Sequence, residues 1–362
     1  MMLRRLSAAT SAALTSCIAR PNTAARAQPA RYFAPVRVSP ARVIRTVVGL
    51  RPFRPAGFVL RADKFDDRVI VHDYGHGGAG ITLSWGTARL AADMALATRE
   101  RQFAVVGAGV IGLSTAILLQ RAGAQVTLYT RDLPPDTTSN IAGGQWSPFS
   151  VFDAAAVTPV FRTQFEQAAR IAYRQFQHLL GWRYGVHWIE NYFVGNEPVQ
   201  LPEFIRTMPD IYPDVEELPP NAHPFGTRFA TRVSTMLIQP HIYLPALLSD
   251  FHAMGGRFVI RNFSSLPDLL TLPERVLLNC TGLGARELFQ DADLIPIKGQ
   301  LHVLMPQPEV DYILLAGGLY MFPRSDGILL GGTFQRGIET LDPDPAATRR
   351  ILDGHAQLFA GW

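Results

Sequence analysis

Cysteine is nearly absent. Cys17 and Cys280 are the only two in 362 residues, too few for a disulfide framework or a cysteine-based zinc site. Acidic residues are missing from the first 62 positions, which carry 11 arginines and no Asp, Glu or Lys. The formal net charge of +4 is therefore misleading, because the rest of the chain holds 23 basic and 30 acidic residues, a net of −7. Such a body is a poor match for a phosphate backbone, which needs a clustered basic face, so no nucleic-acid partner is expected. A long unbroken apolar run is lacking too. The uncharged stretch from Phe103 to Gln120 nears transmembrane length, but three glycines and a Ser-Thr pair interrupt it, and it reads as a buried strand and helix.

What is present is an ordinary folded composition: 48% hydrophobic residues, 18% charged, with 30 glycines and 27 prolines as turn punctuation. At roughly 150 residues per domain the length suggests about two domains. The acid-free start reads as a leader, residues 1–40. Arg4-Arg5, a weakly apolar run from Leu6 to Leu14 and the box Leu14-Thr15-Ser16-Cys17 resemble an export signal of twin-arginine type with a lipid anchor at Cys17. Its Arg-, Ala- and Ser-rich composition is also that of a mitochondrial transit peptide. An exported location is expected, with mitochondrial or cytoplasmic ones as alternatives. Membrane contact is expected only through Cys17.

Beyond the leader, strand and helix patterns alternate. A strand around Val69 to His72, a glycine loop and a helix from about Thr82 to Ala97 lead to a strand at Phe103 to Gly107, a helix from Val110 to Ala122 and a strand at Val126 to Tyr129. This is the grammar of an α/β layer with a mostly parallel, doubly wound sheet. Helices are read at Phe161 to Leu180, Tyr243 to Met254 and Pro345 to Ala360. Strands are read at Val276 to Leu278, Leu301 to Leu304 and Ile328 to Leu330, the last two in a more antiparallel layer. Pro209 to Pro224 reads as a loop.

Two glycine loops carry the chemistry. In the run Gly107-Ala108-Gly109-Val110-Ile111-Gly112 the glycines follow a strand and open a helix, so amides at the helix start can face a pyrophosphate. The acid that would hold a ribose is displaced, since Thr130 and Arg131 occupy its place and Asp132 comes one step late. In the second loop, Gly75, Gly77, Gly78 and Gly80 let the backbone lie flat against a ligand, with Ala79, Ile81 and Thr82 completing the turn into a helix whose N-terminus stabilises negative charge. His72 and His76 have the spacing of a helical metal pair, but the glycines forbid that helix, so no metal is expected.

These residues, taken with others, resemble a family. VVGAGVIGLSTA (105–116), TTSNIAGGQWSPF (137–149), LLNCTGLGA (277–285), IKGQ (297–300) and LGGTFQ (330–335) resemble the FAD-dependent D-amino-acid oxidases, in that family's order. VVGLRPFRP (47–55) and HDYGHGGAGITLSWG (72–86) look like the family's last two motifs placed before its first, so the chain looks circularly permuted. The resemblance implies a Rossmann-like FAD-binding domain (41–150 and 270–300), a smaller mixed or antiparallel-sheet substrate domain (151–269 and 301–345) and a C-terminal helix (346–362). It implies FAD contacts from Gly107 to Gly112 and Gly77 to Thr82, with Arg131, Thr138, Gly143, Gly144, Gln145 and Thr281. Arg51 matches the arginine that binds the substrate carboxylate, and Gly78 the carbonyl that takes the amine. The family's tyrosine beside that arginine aligns with Phe229, with Arg232 as a possible substitute. Trp146 and Tyr320 are candidates for the pocket wall, and Cys280 for a buried structural thiol. The implied reaction is oxidative deamination of a D-amino acid to a 2-oxo acid, ammonia and hydrogen peroxide by hydride transfer to flavin N5. Molecular oxygen is the expected acceptor. Another electron acceptor, or an FAD-binding protein without turnover, are the alternatives.

Overall fold

A computed structural model describes residues 32–360. Along the chain come β1 (Val43–Phe53), β2 (Val59–Phe65), β3 (Arg68–Tyr74), α1 (Gly80–Leu96), β4 (Gln102–Val106), α2 (Val110–Arg121) and β5 (Gln125–Thr130). Then follow α3 (Pro159–Gln177), β6 (Val186–Gly195), α4 (Glu203–Thr207), β7 (Glu216–Leu218), β8 (Phe229–Ile238), α5 (Pro240–Ala253) and β9 (Arg257–Ile260). The remainder is α6 (Leu266–Leu269), β10 (Val276–Asn279), α7 (Ala285–Leu288), β11 (Ile295–Leu304), β12 (Tyr312–Ala316), β13 (Leu319–Arg324), β14 (Gly327–Gly331), β15 (Gln335–Arg336) and α8 (Pro345–Phe359).

One sheet has six strands in the order β2-β3-β10-β4-β5-β9, parallel except for the β2-β3 hairpin at its edge. Its strands are apolar on both sides because both faces are covered. Val71, Val105 and Leu278 point into the core shared with α1, α2, α3 and α5, while their neighbours Ile70, Ala104 and Leu277 point to a second core closed by Phe263, Leu269, Leu272 and Leu288. That alternation is the two-residue period of a strand. Of the covering helices, α3 starts on a sequence signal, Thr158 accepting the Phe161 N–H ahead of Pro159; α8, on the second sheet, starts likewise, with Asp344 accepting the Ala346 N–H ahead of Pro345.

The second sheet has nine strands in the order β1-β11-β14-β13-β12-β6-β8-β7, with β15 also on β11. All its pairs are antiparallel except β12 with β6. α8 packs Ile351, Leu352 and Phe359 into its core. The fold class is thus the expected one, a Rossmann-like doubly wound α/β unit with a mixed, mostly antiparallel second sheet.

Several boundaries differ from those expected. β1 lies within residues 41–150 yet pairs with β11 in the second sheet. Residues 240–269, expected in the substrate domain, supply α5 to the first sheet's core and β9 to its edge. Residues 33–36, counted with the leader, are part of the folded body: Phe33, Ala34 and Val36 are buried, and the Tyr312 hydroxyl donates to the Ala34 carbonyl at 2.8 Å. Cys17 and the rest of the leader motif lie outside the described residues. Among the described residues no helix is long and apolar enough to cross a membrane, and no group of His, Cys, Asp or Glu is arranged to hold a metal.

Candidate active site

The turn after β4 is built by glycine. Gly107 has φ +106°, a conformation other residues rarely adopt, and donates its N–H to the Tyr129 carbonyl at 2.8 Å. A Cβ on Gly112 would sit 1.8 Å from the Gly107 carbonyl oxygen, so only glycine lets α2 start directly on the turn. Hydroxyls fix the loop: the Ala108 N–H donates to Thr130 Oγ1 at 3.1 Å and the Val110 N–H to Ser139 Oγ at 3.0 Å. The helix N-terminus, with its first-turn amides and dipole, is thereby aimed into a cavity of about 1250 Å³.

That cavity extends along the C-terminal ends of the parallel strands and across to the second sheet. Beside Thr130 it is lined by Arg131, Asp132 and Arg261; further on by Gly107 to Ile111, Thr138, Gly143 to Gln145 and Thr281; and then by Gly77, Gly78, Gly80 to Thr82, Arg51, Phe149, Tyr320 and Phe334. Arg131 holds Asp132 at 2.7 Å, so the displaced acid is present, paired with the residue before it. Thr281 donates to Asn279 Oδ1 at 2.7 Å, and Gln145 donates to Asn191 Oδ1 at 3.0 Å. Thr82 Oγ1 donates to the Ser147 carbonyl at 3.0 Å and accepts the Ser147 N–H at 3.1 Å, tying the start of α1 to the segment that carries Gly143 to Gln145.

Arg51 occupies the other end. It is half-buried on β1, and its guanidinium lies flat on Gly299 of β11, where a Cβ would meet its nitrogens at 2.5 and 2.6 Å. It donates to the Tyr320 hydroxyl and to the Thr333 carbonyl, each at 3.4 Å. Among the described residues no carboxylate pairs with it. Gly78 adjoins it, with its Cβ position 3.7 Å from Arg51 Cδ, and donates its N–H to the Ser150 carbonyl at 3.1 Å. A half-buried guanidinium with no anion, beside a phenol and an exposed backbone turn, is equipped to take a carboxylate.

Beneath the second glycine loop lies a pair that sequence reasoning missed except as a rejected metal motif. His76 Nε2 is 3.2 Å from Asp73 Oδ1 and 3.1 Å from Thr87 Oγ1, all three side chains being buried. Burial raises the Asp73 carboxyl above its ordinary range, against the pull of the nearby His76. The pair anchors the loop from below. Cys280 is buried, burial pushes its thiol well up, and its carbonyl packs on Gly107.

Not every expected residue reaches the cavity. Phe229 and Arg232 do not line it, and Arg232 is engaged elsewhere: β8 lies between β6 and β7, which sets its guanidinium between Glu190 and Glu216, each 2.8 Å from a guanidinium nitrogen. Ala79 is buried under the loop, and Gly112 acts through packing behind the turn. Trp146 is a core residue, its ring edge-on to Tyr173 at 5.1 Å. The phenol beside Arg51 is that of Tyr320 on β13, 3.4 Å from its guanidinium. Its signal in the sequence was only an aromatic after two glycines.

An α/β sheet with a glycine turn at a helix N-terminus, opening on a long cavity at the strands' C-terminal ends, defines a dinucleotide-binding protein with a second, small-molecule site. A family model described as FAD dependent oxidoreductase matches residues 20–94 and 102–361. The chain is 31% identical over 269 residues to a D-amino-acid oxidase of Rubrobacter xylanophilus, covering 68% of this chain and 74% of that one. It is 30% identical over 265 residues to a human D-aspartate oxidase, covering 69% and 74%. Its fold resembles that of an iminodiacetate oxidase from Chelativorans, with a TM-score of 0.53 and 16% identity over 72% of this chain and 79% of that one. The chain belongs to the FAD-dependent oxidoreductases of the D-amino-acid oxidase type; it is a flavoprotein enzyme. The residues present fit that cofactor: the glycine turn lets the α2 N-terminus open on the cavity beside Gly107 and Gly109, which suits the pyrophosphate, and the cavity-lining backbone at Gly77 and Gly78 suits the planar ring system.

Proposed function

We propose that the protein oxidises the α-carbon of D-amino acids, yielding an imine that water converts to the 2-oxo acid and ammonia. The observation that carries this reading is Arg51, an unpaired guanidinium in the cavity with the Tyr320 hydroxyl at 3.4 Å. FAD, which the turn after β4 and the Gly77–Gly78 loop would hold, would supply the two-electron oxidation of the α-carbon, with oxygen as the final acceptor and hydrogen peroxide as the second product. The chain's part is positioning. Arg51 grips the substrate carboxylate in bidentate fashion, Tyr320 orients the guanidinium and donates its own proton to the same carboxylate, and the Gly78 carbonyl accepts from the amine. With the carboxylate and amine both fixed, the α-hydrogen has one direction left to it. No side chain has to act as a base, since the amine can shed its proton to solvent before the step. The relatives' names offer two substrate types, D-amino acids at large and D-aspartate. The leader motif makes an exported enzyme part of the same proposal.

The test is anaerobic mixing of the flavin-loaded protein with D- and L-amino acids while flavin absorbance near 450 nm is followed. Bleaching by D-amino acids alone is expected, and admitting air should restore the colour with formation of peroxide. Bleaching by L-enantiomers, or by no amino acid, overturns the reading. Colour that returns only with an added quinone or dye makes the protein a dehydrogenase.

A further inference from the structure

This inference rests on the proposed amino-acid oxidase reading and concerns the side chain the site accepts. We infer that the protein selects D-amino acids with bulky uncharged apolar side chains and rejects dicarboxylic ones, with Phe149 and Phe334 as the selecting residues.

The first support is an accounting of cations. Three arginines line the cavity: Arg51, Arg131 and Arg261. Arg131 holds Asp132 at 2.7 Å and Arg261 holds Asp268 at 2.6 Å, and both sit beside Thr130 near the phosphate-binding turn. Among the described residues Arg51 is therefore the one arginine of the cavity without a carboxylate partner, and the α-carboxylate consumes it. Other arginines near that end are committed elsewhere. Arg54 holds Asp291 at 2.8 Å, and Arg336 holds Asp153 at 2.9 Å while covering the Phe53 ring. A second carboxylate on the substrate would enter with no counter-charge. It would also share the cavity with Glu197, for which no cation partner exists among the described residues. A carboxylate moved out of water without a partner is strongly disfavoured.

The second support is apolar surface in the right place. Phe149 and Phe334 line the cavity and are 59% and 49% exposed, unusual for phenylalanine. Phe149 is held at the Arg51 end by its neighbour Ser150, whose positive φ of 57° turns the chain there and whose carbonyl accepts the Gly78 N–H. Phe334 stands edge-on to Phe53, two residues along β1 from Arg51, with ring centroids 6.4 Å apart. An apolar substrate side chain laid against these rings takes part of their exposed surface out of water, which a small or charged side chain does less well.

The test uses the flavin-loaded full chain. D-phenylalanine and D-leucine should bleach the flavin with kcat/KM at least roughly a hundredfold above D-aspartate, D-glutamate and D-arginine. D-aspartate or D-arginine as the preferred substrate overturns the inference while leaving the oxidase reading intact. If no amino acid reacts, the oxidase reading fails, and calorimetry with two unreactive skeletons still decides about the pocket. Tighter binding of 3-phenylpropanoate than of succinate supports it, and equal or weaker binding overturns it. Phe334→Ala and Phe149→Ala should each shrink that binding ratio by about tenfold with flavin retained. An unchanged ratio in both variants overturns the assignment of these residues.

Discussion

At the scale of single residues, the site divides into what local sequence specifies and what distant pairing specifies. Arg51 was readable because a guanidinium set among prolines in a family-like motif has few structural uses. Tyr320 and Arg232 exchange importance for a reason no local pattern contains. The pairing of β8 with β6 on one side and β7 on the other gives Arg232 two carboxylate partners, whereas the β13-β14 pairing helps bring Tyr320 to Arg51 from 269 residues away. The division is testable. Arg51→Ala should raise KM for D-amino acids at least about a hundredfold with flavin still bound, because the charge-assisted grip is lost whole. Tyr320→Phe should cost less, about tenfold, since it removes one neutral donor and leaves the guanidinium on its glycine platform. Arg232→Ala should leave KM unchanged. Steady-state kinetics on the three variants check this, and a larger effect at Arg232 than at Tyr320 would return the substrate site to β8.

At the scale of elements, the parallel sheet was legible and most of the antiparallel one was not. β3, α1, β4, α2 and β5 announce themselves through apolar runs, glycine stops and a fingerprint, all local signals. β6 and β8 mix charged and apolar residues, and β12 to β14, though joined by local hairpins, meet the rest of the sheet only through the distant β6 and β11, so their pairing is set by the assembled core. The contact of α2 with its turn is the most demanding of the local features. A methyl group at position 112 would lie 1.8 Å from a backbone oxygen, and neither the turn nor the helix is free to yield, since Gly107 is hydrogen-bonded to β5 and packed on Cys280. Gly112→Ala should therefore destabilise the protein by about 1–3 kcal/mol and weaken FAD binding severely. The measurements are the urea midpoint of the apoprotein and flavin retention on gel filtration. A yellow, fully stable Gly112→Ala protein would show that the turn can open.

At the scale of the whole molecule, two properties belong to no one element. The first is response to acid. Burial lowers His72 to about 4, outweighing the pull of Asp63, and it lowers His187, His223, His241, His302 and His355 as well. A histidine whose folded value lies below its unfolded value of 6.5 is protonated first in the unfolded chain, so its stabilising effect is complete above pH 6.5 and is lost as pH falls toward 4. For His72 alone that loss is up to roughly 3 kcal/mol. The urea midpoint should fall steadily between pH 7 and pH 5, and His72→Gln should flatten the fall; a midpoint that rises on acidification contradicts this account.

The second property is the order of the motifs, which we interpret as a circular permutation. The family match breaks between residues 94 and 102, where α1 hands over to β4 through a turn that includes Arg99 at φ +65°. The elements on the early side of this joint do not depend on it for their place. β1 is paired along its length with β11, and β3 is held by both β2 and β10. A connection of that kind only raises the effective concentration of two parts that already fit each other. Insertion of a ten-residue Gly-Ser segment at Arg99 should therefore cost at most about 1 kcal/mol, and specific proteolysis of the inserted segment should leave both pieces together with FAD bound. Loss of flavin on insertion, or separation of the pieces after cleavage, would mean that the joint is an integral part of the fold and that the motif order arose in some other way.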